Sequence, residues 1–185
     1  MLFAHPSADS SNPVYIIRPR AGRKLYIEMA TEIERKFLVI DDSWRGEVTK
    51  SSFYRQGYLA NSDGASVRVR VADGKGYLNI KSMTLGVSRY EFEYVIPLAD
   101  AEEMLDELCV GPKIEKTRYF VDHGGHTWEV DVFQGDNEGL VVAEVELGSV
   151  DEAFELPPWA GKEVSEDERY YNVCLVKHPY KGWKE

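Results

Sequence analysis

The chain has 185 residues, 43% of them hydrophobic, and a formal net charge of −10. That length and apolar content suit one ordinary domain with its own core and exclude a wholly disordered chain. The acidic balance lacks the basic footprint of a nucleic-acid binder, so no nucleic-acid partner is expected, while a small anion in a local basic pocket remains open.

Residues 1–28 differ from the rest. Residues 5–13 carry His, Pro, Ser, Asp and Asn, the chemistry of loops, and Val14–Ile17 and Leu25–Ile27 flank a basic patch of Arg18, Arg20, Arg23 and Lys24. Met29-Ala30-Thr31-Glu32 reads as a second start, so 1–28 is expected to be an N-terminal extension and 29–185 the core domain. From Thr31 onward the pattern alternates with period two. It predicts strands over 31–39, 52–60, 66–72, 76–82, 88–96, 115–121, 127–133 and 140–147, several of them separated by Gly- and Asp-rich turns. Asp100–Cys109 has helical spacing with Asp100 as its cap, and Ser165-Glu166-Asp167-Glu168 reads as a capping box opening a helix over Ser165–Leu175. Eight consecutive, mostly antiparallel strands predict a mainly β (α+β) fold, a closed barrel or a strongly curved sheet, and the sharper expectation is an eight-stranded antiparallel closed β-barrel with helices packed outside.

Cys109 and Cys174 stand among apolar residues, with no CxxC or Cys/His cluster, which reads as two buried thiols. No apolar run approaches a membrane span and no signal-peptide h-region is visible. No membrane partner is expected and the cytoplasm is the expected compartment; nothing distinguishes a monomer from a homodimer.

Strand residues two apart share a face, and here each strand puts its charges on one face. Glu32, Glu34 and Lys36 lie together; so do Arg68 and Arg70, Glu91 and Glu93, Lys116 and Arg118, Glu129 and Asp131, and Glu144 and Glu146, while Lys81 stands alone on its strand. For a single strand the ordinary reading is a solvated outer face. The repetition favours another reading, because like charges on one strand repel unless opposite charge lies between them. Acidic pairs suit hard divalent cations and Arg forks suit phosphate oxygens. A cavity lined by both points to a metal-bound polyphosphate.

These residues resemble the triphosphate tunnel metalloenzymes, or CYTH family. The resemblance begins at E-x-E-x-K, here Glu32-Ile33-Glu34-Arg35-Lys36, and continues through Arg55-Gln56-Gly57-Tyr58-Leu59, Val67-Arg68-Val69-Arg70, Ile80-Lys81-Ser82, Glu91-Phe92-Glu93, Glu115-Lys116-Thr117-Arg118-Tyr119, Glu129-Val130-Asp131, Ala143-Glu144-Val145-Glu146 and Glu166-Asp167-Glu168-Arg169-Tyr170. A lone E-x-E-x-K is weak; the ordered set is specific and spans about Thr31 to Asn172. The resemblance implies metal-dependent hydrolysis of a small-molecule triphosphate, with two Mg²⁺ or Mn²⁺ ions when substrate is bound. It implies metal ligands at Glu32, Glu34, Glu144 and Glu146, with Asp131 as a ligand or a partner behind the ligands. Arg68, Arg70, Lys81, Lys116 and Arg118 become the phosphate cradle. Lys36 and Tyr58 become a catalytic dyad, Glu91 a carboxylate that orients water, and Arg169 a candidate for closing one mouth. Inorganic tripolyphosphate is the expected substrate. A class IV adenylate cyclase, a thiamine triphosphatase and a non-catalytic polyphosphate-binding module are the alternatives.

Overall fold

A computed structural model describes residues 15–17, 25–27, 31–82 and 88–183. Within them the strands are β1 (Tyr15–Ile17), β2 (Leu25–Ile27), β3 (Thr31–Val39), β4 (Val48–Asn61), β5 (Ala65–Ala72), β6 (Lys75–Ser82), β7 (Ser88–Ile96), β8 (Ile114–His123), β9 (His126–Phe133), β10 (Val141–Glu146) and β11 (Ala160–Glu163). Two short helices, α1 (Leu98–Glu103) and α2 (Asn172–Lys177), complete the fold. β1 and β2 form a small antiparallel sheet of their own. The other nine strands make one antiparallel sheet in the order β10-β9-β8-β4-β5-β6-β7-β3-β11, and β10 also pairs with β3.

The expected closed barrel of eight strands is therefore corrected to a nine-stranded sheet, and β3 shows why. One edge of β3 takes β10 along Glu34–Leu38. The other edge is shared: β7 meets Thr31–Ile33, while β11 meets Phe37 and Val39. Between them the backbone of Lys36 is satisfied by the segment after β11, where Ser165 Oγ accepts from Lys36 N at 2.9 Å and Val164 N donates to Lys36 O at 2.8 Å. The wall is thus not a continuous strand-to-strand seam at this edge. β11 is four residues, Ala-Gly-Lys-Glu, too short to show alternation.

Both helices depart from expectation. The first begins at Leu98 behind Pro97, with Asp100 in the first turn and not at the cap, and runs into a π-turn at Met104–Leu108. The second begins at Asn172, because Ser165 is already committed to Lys36 N and to Glu163 and cannot cap a helix. Asp167 instead caps a 3₁₀ turn at Glu168–Tyr170.

The core lies on both faces of the sheet. On the outer face, Ile33, Phe37, Val121, Trp128, Val130, Ala143, Val145 and Leu147 pack with Trp44 and Trp159 under the loop between β10 and β11. Trp128 meets Trp159 edge-on with ring centres 5.6 Å apart. α1 and the π-turn cover β5 and β6 through Ala101 and Leu105 on Val69. α1 lies so near β6 that a methyl group at Gly76 would stand 2.6 Å from the Ala101 Cβ. α2 was expected on the outside too. Its Leu175 and Val176 pack instead with Tyr58, Ile114, Phe133 and Val142, which lie on the face that carries the charges, so α2 fills one end of that face. Cys109 and Cys174 form no disulfide, and burial pushes both thiols up. No described helix is long and apolar enough to cross a membrane.

Candidate functional site

Register decides which charges meet. β10 lies against β3 with Glu144 opposite Lys36 and Glu146 opposite Glu34. On its other side Glu144 is opposite Glu129 of β9, and Asp131 is opposite Arg118 of β8. Continuing across the sheet, Lys116 faces Tyr54, Gln56 faces Arg70, Tyr58 faces Arg68, Arg68 faces Asn79, and Asn79 faces Glu93. Cross-strand partners share a face, so the charges predicted from alternation do come together on one surface. The side chain of Glu32 lies outside the described part of the structure.

Two networks result. In the first, Lys36 bonds Glu144 and also Glu34, the latter at 2.8 Å. Arg118 reaches Glu129, Asp131 at 2.7 Å and Glu144 at 2.6 Å, while Lys116 bonds Asp131. Asp131 is fully buried between two cations and does not stand beside Glu34 and Glu146. Burial alone would lower the Lys36 ammonium, but Glu144 and Glu34 outweigh it and raise its pKa. Burial opposes the ionised Glu144 as well, yet Lys36, Arg118 and Lys116 hold its carboxyl well below the usual range. Glu129 goes the other way, raised by burial against the pull of Arg118. Lys116 is lowered by burial, with Arg118 adding to it against Asp131.

In the second network Lys81 lies 2.9 Å from Glu91, Arg70 bonds Glu93 at 2.7 Å, and Arg68 stands 3.8 Å from Glu91. Tyr54 sits between the two networks. Its ring centre is 5.1 Å from the Arg70 guanidinium, 5.3 Å from that of Arg118 and 5.9 Å from the Lys116 ammonium. Tyr77 backs Arg70 from 4.9 Å, and burial, helped by Arg68, lowers the Arg70 pKa.

Tyr54, Gln56, Tyr77 and Asn79 belong to this surface, and alternation of charge could not find them because they are neutral. Their signal was their place in the same period-two pattern, between charged residues on the same face. Tyr58, paired with Lys36 by resemblance, is buried with Phe133, Val142 and Leu175. Arg169 is exposed and held by Asp167 at 2.6 Å, with its guanidinium 5.3 Å from the Trp183 ring. Trp44 and Trp159 are core residues.

Several buried groups lack a partner among the described residues: the Nε donors of Arg68 and Arg70, Gln56 Nε2, and Asn79 Oδ1. Leaving buried donors unpaired is costly, and guanidinium N–H groups aimed into a site call for an anion. On the acidic side, Glu34 and Glu146 are directly opposed carboxylates, with Lys36 bonded to Glu34, and further positive charge between them would be favourable. Oxygen-only donors fit a hard divalent ion. Among the described residues no three Asp, Glu, His or Cys side chains converge as a metal-holding cluster; the fit is in donor chemistry and in the Glu34–Glu146 opposition.

The CYTH domain model matches residues 30–177. The chain is 50% identical over 157 residues to an inorganic triphosphatase of Acetivibrio thermocellus, covering 85% of this chain and 100% of that one. It is 42% identical over 150 residues to an inorganic triphosphatase of Nitrosomonas europaea, covering 79% and 97%. Among solved structures, that of an inorganic triphosphatase superposes with a TM-score of 0.59 at 38% identity, over 80% of this chain and 95% of that one. A Pyrococcus horikoshii protein, with a TM-score of 0.53 at 19% identity over 65% and 80%, shares the fold.

Proposed function

Because the chain belongs to the CYTH-domain family, we propose that it is a metal-dependent hydrolase that cleaves inorganic tripolyphosphate to diphosphate and phosphate. The observation that carries this reading is the division of one sheet face into two parts. Opposed carboxylates lie on β3 and β10, and arginines with unpaired buried donors lie on β5. Two relatives that cover most of the chain are inorganic triphosphatases, which supports tripolyphosphate as the substrate.

Phosphoryl transfer asks mainly for positioning and charge stabilisation. Arg68, Arg70 and Lys81 hold phosphate oxygens from one side, and Lys116 and Arg118 from the other. Glu34 and Glu146, with Glu32 and Glu144, hold Mg²⁺ or Mn²⁺, and Asp131 acts from behind by fixing Lys116 and Arg118. A divalent ion there supplies Lewis-acid charge at the phosphate oxygens. Lys36 stays protonated between Glu34 and Glu144, aligning both carboxylates and adding positive charge beside the reacting phosphate. Glu91, held by Lys81, orients water for in-line attack, and Tyr58 closes the inner end against α2. Residues 1–28 precede the family match and are read as an extension outside this domain.

A phosphate-release panel tests the reading, with tripolyphosphate, ATP and thiamine triphosphate, each with Mg²⁺, with Mn²⁺ or with a chelator. Tripolyphosphate should be the best substrate, and the chelator should abolish release. Faster turnover of either other substrate, or release that survives chelation, overturns it.

A further inference from the structure

Asn79 is fully buried in the middle of β6, between Arg68 on β5 and Glu93 on β7. Its Nδ2 donates to Glu91 Oε1 at 3.0 Å and to Glu93 Oε2 at 2.6 Å. Those same two oxygens face the arginines. Glu91 Oε1 is the atom 3.8 Å from Arg68, and Glu93 Oε2 is the atom bonded by Arg70. The amide therefore satisfies both carboxylates with neutral donors. Arg68 is left in a long ion pair with Glu91, beyond hydrogen-bond reach, and its Nε has no partner.

We propose that Asn79 is a positioning residue for triphosphate binding: its amide holds Glu91 back from Arg68, so that the Arg68 guanidinium is ready for phosphate oxygens, while Glu93 shares its oxygen between Asn79 and Arg70. A charged residue at this position could not serve. A lysine would compete for the phosphate, and a carboxylate would draw the arginines in. Asparagine offers two N–H donors and no charge. Without them Glu91 would close on Arg68, and the substrate would have to break a buried charge-assisted bond before binding. The inference rests on the triphosphate reading of the site.

The test uses the full chain and two readouts: kcat and KM for tripolyphosphate with Mg²⁺, and tripolyphosphate binding by calorimetry without turnover. Asn79→Ala should raise KM and the dissociation constant by about tenfold or more, the scale of one charge-assisted hydrogen bond, with kcat changed less than about threefold. Adding Glu91→Gln to Asn79→Ala should restore most of the binding, because an uncharged side chain no longer captures Arg68. Asn79→Ser, smaller but still a donor, should fall between wild type and Asn79→Ala. Thermal melts monitor folding, and a variant that melts early is measured for binding below its transition. Unchanged KM and binding in Asn79→Ala, or a loss confined to kcat, overturns the proposal; so does a failure of Glu91→Gln to restore binding. If the wild-type chain neither hydrolyses nor binds tripolyphosphate, the reading of the site falls, and this inference with it. Wild-type activity with unaffected variants overturns the inference alone.

Discussion

Replacing Arg118 by methionine keeps the bulk of the side chain and removes its charge. Arg118 touches Glu129, Asp131 and Glu144 together, and its side chain is 11% exposed. Breaking a buried ion pair from one side costs about 3–5 kcal/mol, because the remaining charge is left without compensation. Asp131 and Glu144 keep Lys116 and Lys36 as partners, which places the loss toward the lower end. For a chain of this size that is a fall in Tm of about 6–12 °C, at roughly 2–4 °C per kcal/mol. The loss should also depend on pH. Glu129 already has its carboxyl raised by burial, with Arg118 the chief influence pulling it down. Without Arg118 it rises further. A carboxyl whose folded pKa exceeds its unfolded value binds protons more readily in the folded state, so its penalty grows as pH rises through that interval. Arg118→Met should therefore lie further below wild type at pH 8 than at pH 5, in melts or denaturant titrations. A deficit equal at both pH values, or none at all, would refute the role given to Arg118 as the shared counter-charge.

Glu144 has the opposite sign. Its folded carboxyl lies well below the ordinary value of 4.5, so the stability it contributes is present above that value and lost as pH falls below it. Glu144→Gln should flatten the acid limb of the stability profile in denaturant unfolding; an unchanged limb counts against the Lys36–Glu144–Arg118 linkage. Trp128→Ala opens a cavity between Phe37, Phe154 and Trp159 on the opposite face, and should cost about 3–5 kcal/mol in denaturant unfolding. Because that face holds none of the residues assigned to the site, kcat and KM per folded molecule should stay within about twofold of wild type at low temperature; a larger change would mean that the two faces are coupled.

What the sequence revealed was the face each charge occupies, because that depends only on parity along a strand. Glu34 with Lys36, Arg68 with Arg70, and Glu144 with Glu146 were legible on that ground. What it hid were features set by tertiary contact. Asn79 and Gln56 carry no charge to mark them. β11 pairs because β7 covers only Thr31–Ile33 of β3 and leaves the edge at Phe37 and Val39 open, and nothing in Ala-Gly-Lys-Glu announces this. Ser165 heads a sound capping box, yet it serves as an acceptor for Lys36 N, since a buried backbone donor on a gap in the sheet must be satisfied. α2 has an apolar stripe that would suit an outer face equally well; only the Leu38, Ile114, Phe133 and Val142 row shows where it goes.

Register was the other hidden quantity, and it bears most directly on function. In the observed pairing Glu144 meets Lys36, but Glu146 meets Glu34. Sliding β10 by two residues would set Glu146 against Lys36 and remove the like-charged pair. It would also place Glu144 opposite Leu38, next to the row where α2 lays Leu175 and Val176. An ionised carboxylate there, without a partner, would cost several kcal/mol, more than the ~1 kcal/mol scale of an opposed pair at a more open position. The apolar end therefore fixes the register, with Val142 against Leu38, and the Glu34–Glu146 opposition is what that register leaves over. Lys36 offsets part of it, bonding Glu34 at 2.8 Å while also bound to Glu144. A divalent cation between the two carboxylates would add to that compensation. The packing that closes one end of the charged face thus sets, four residues away on β10, the acidic pair to which the proposed function assigns a divalent ion.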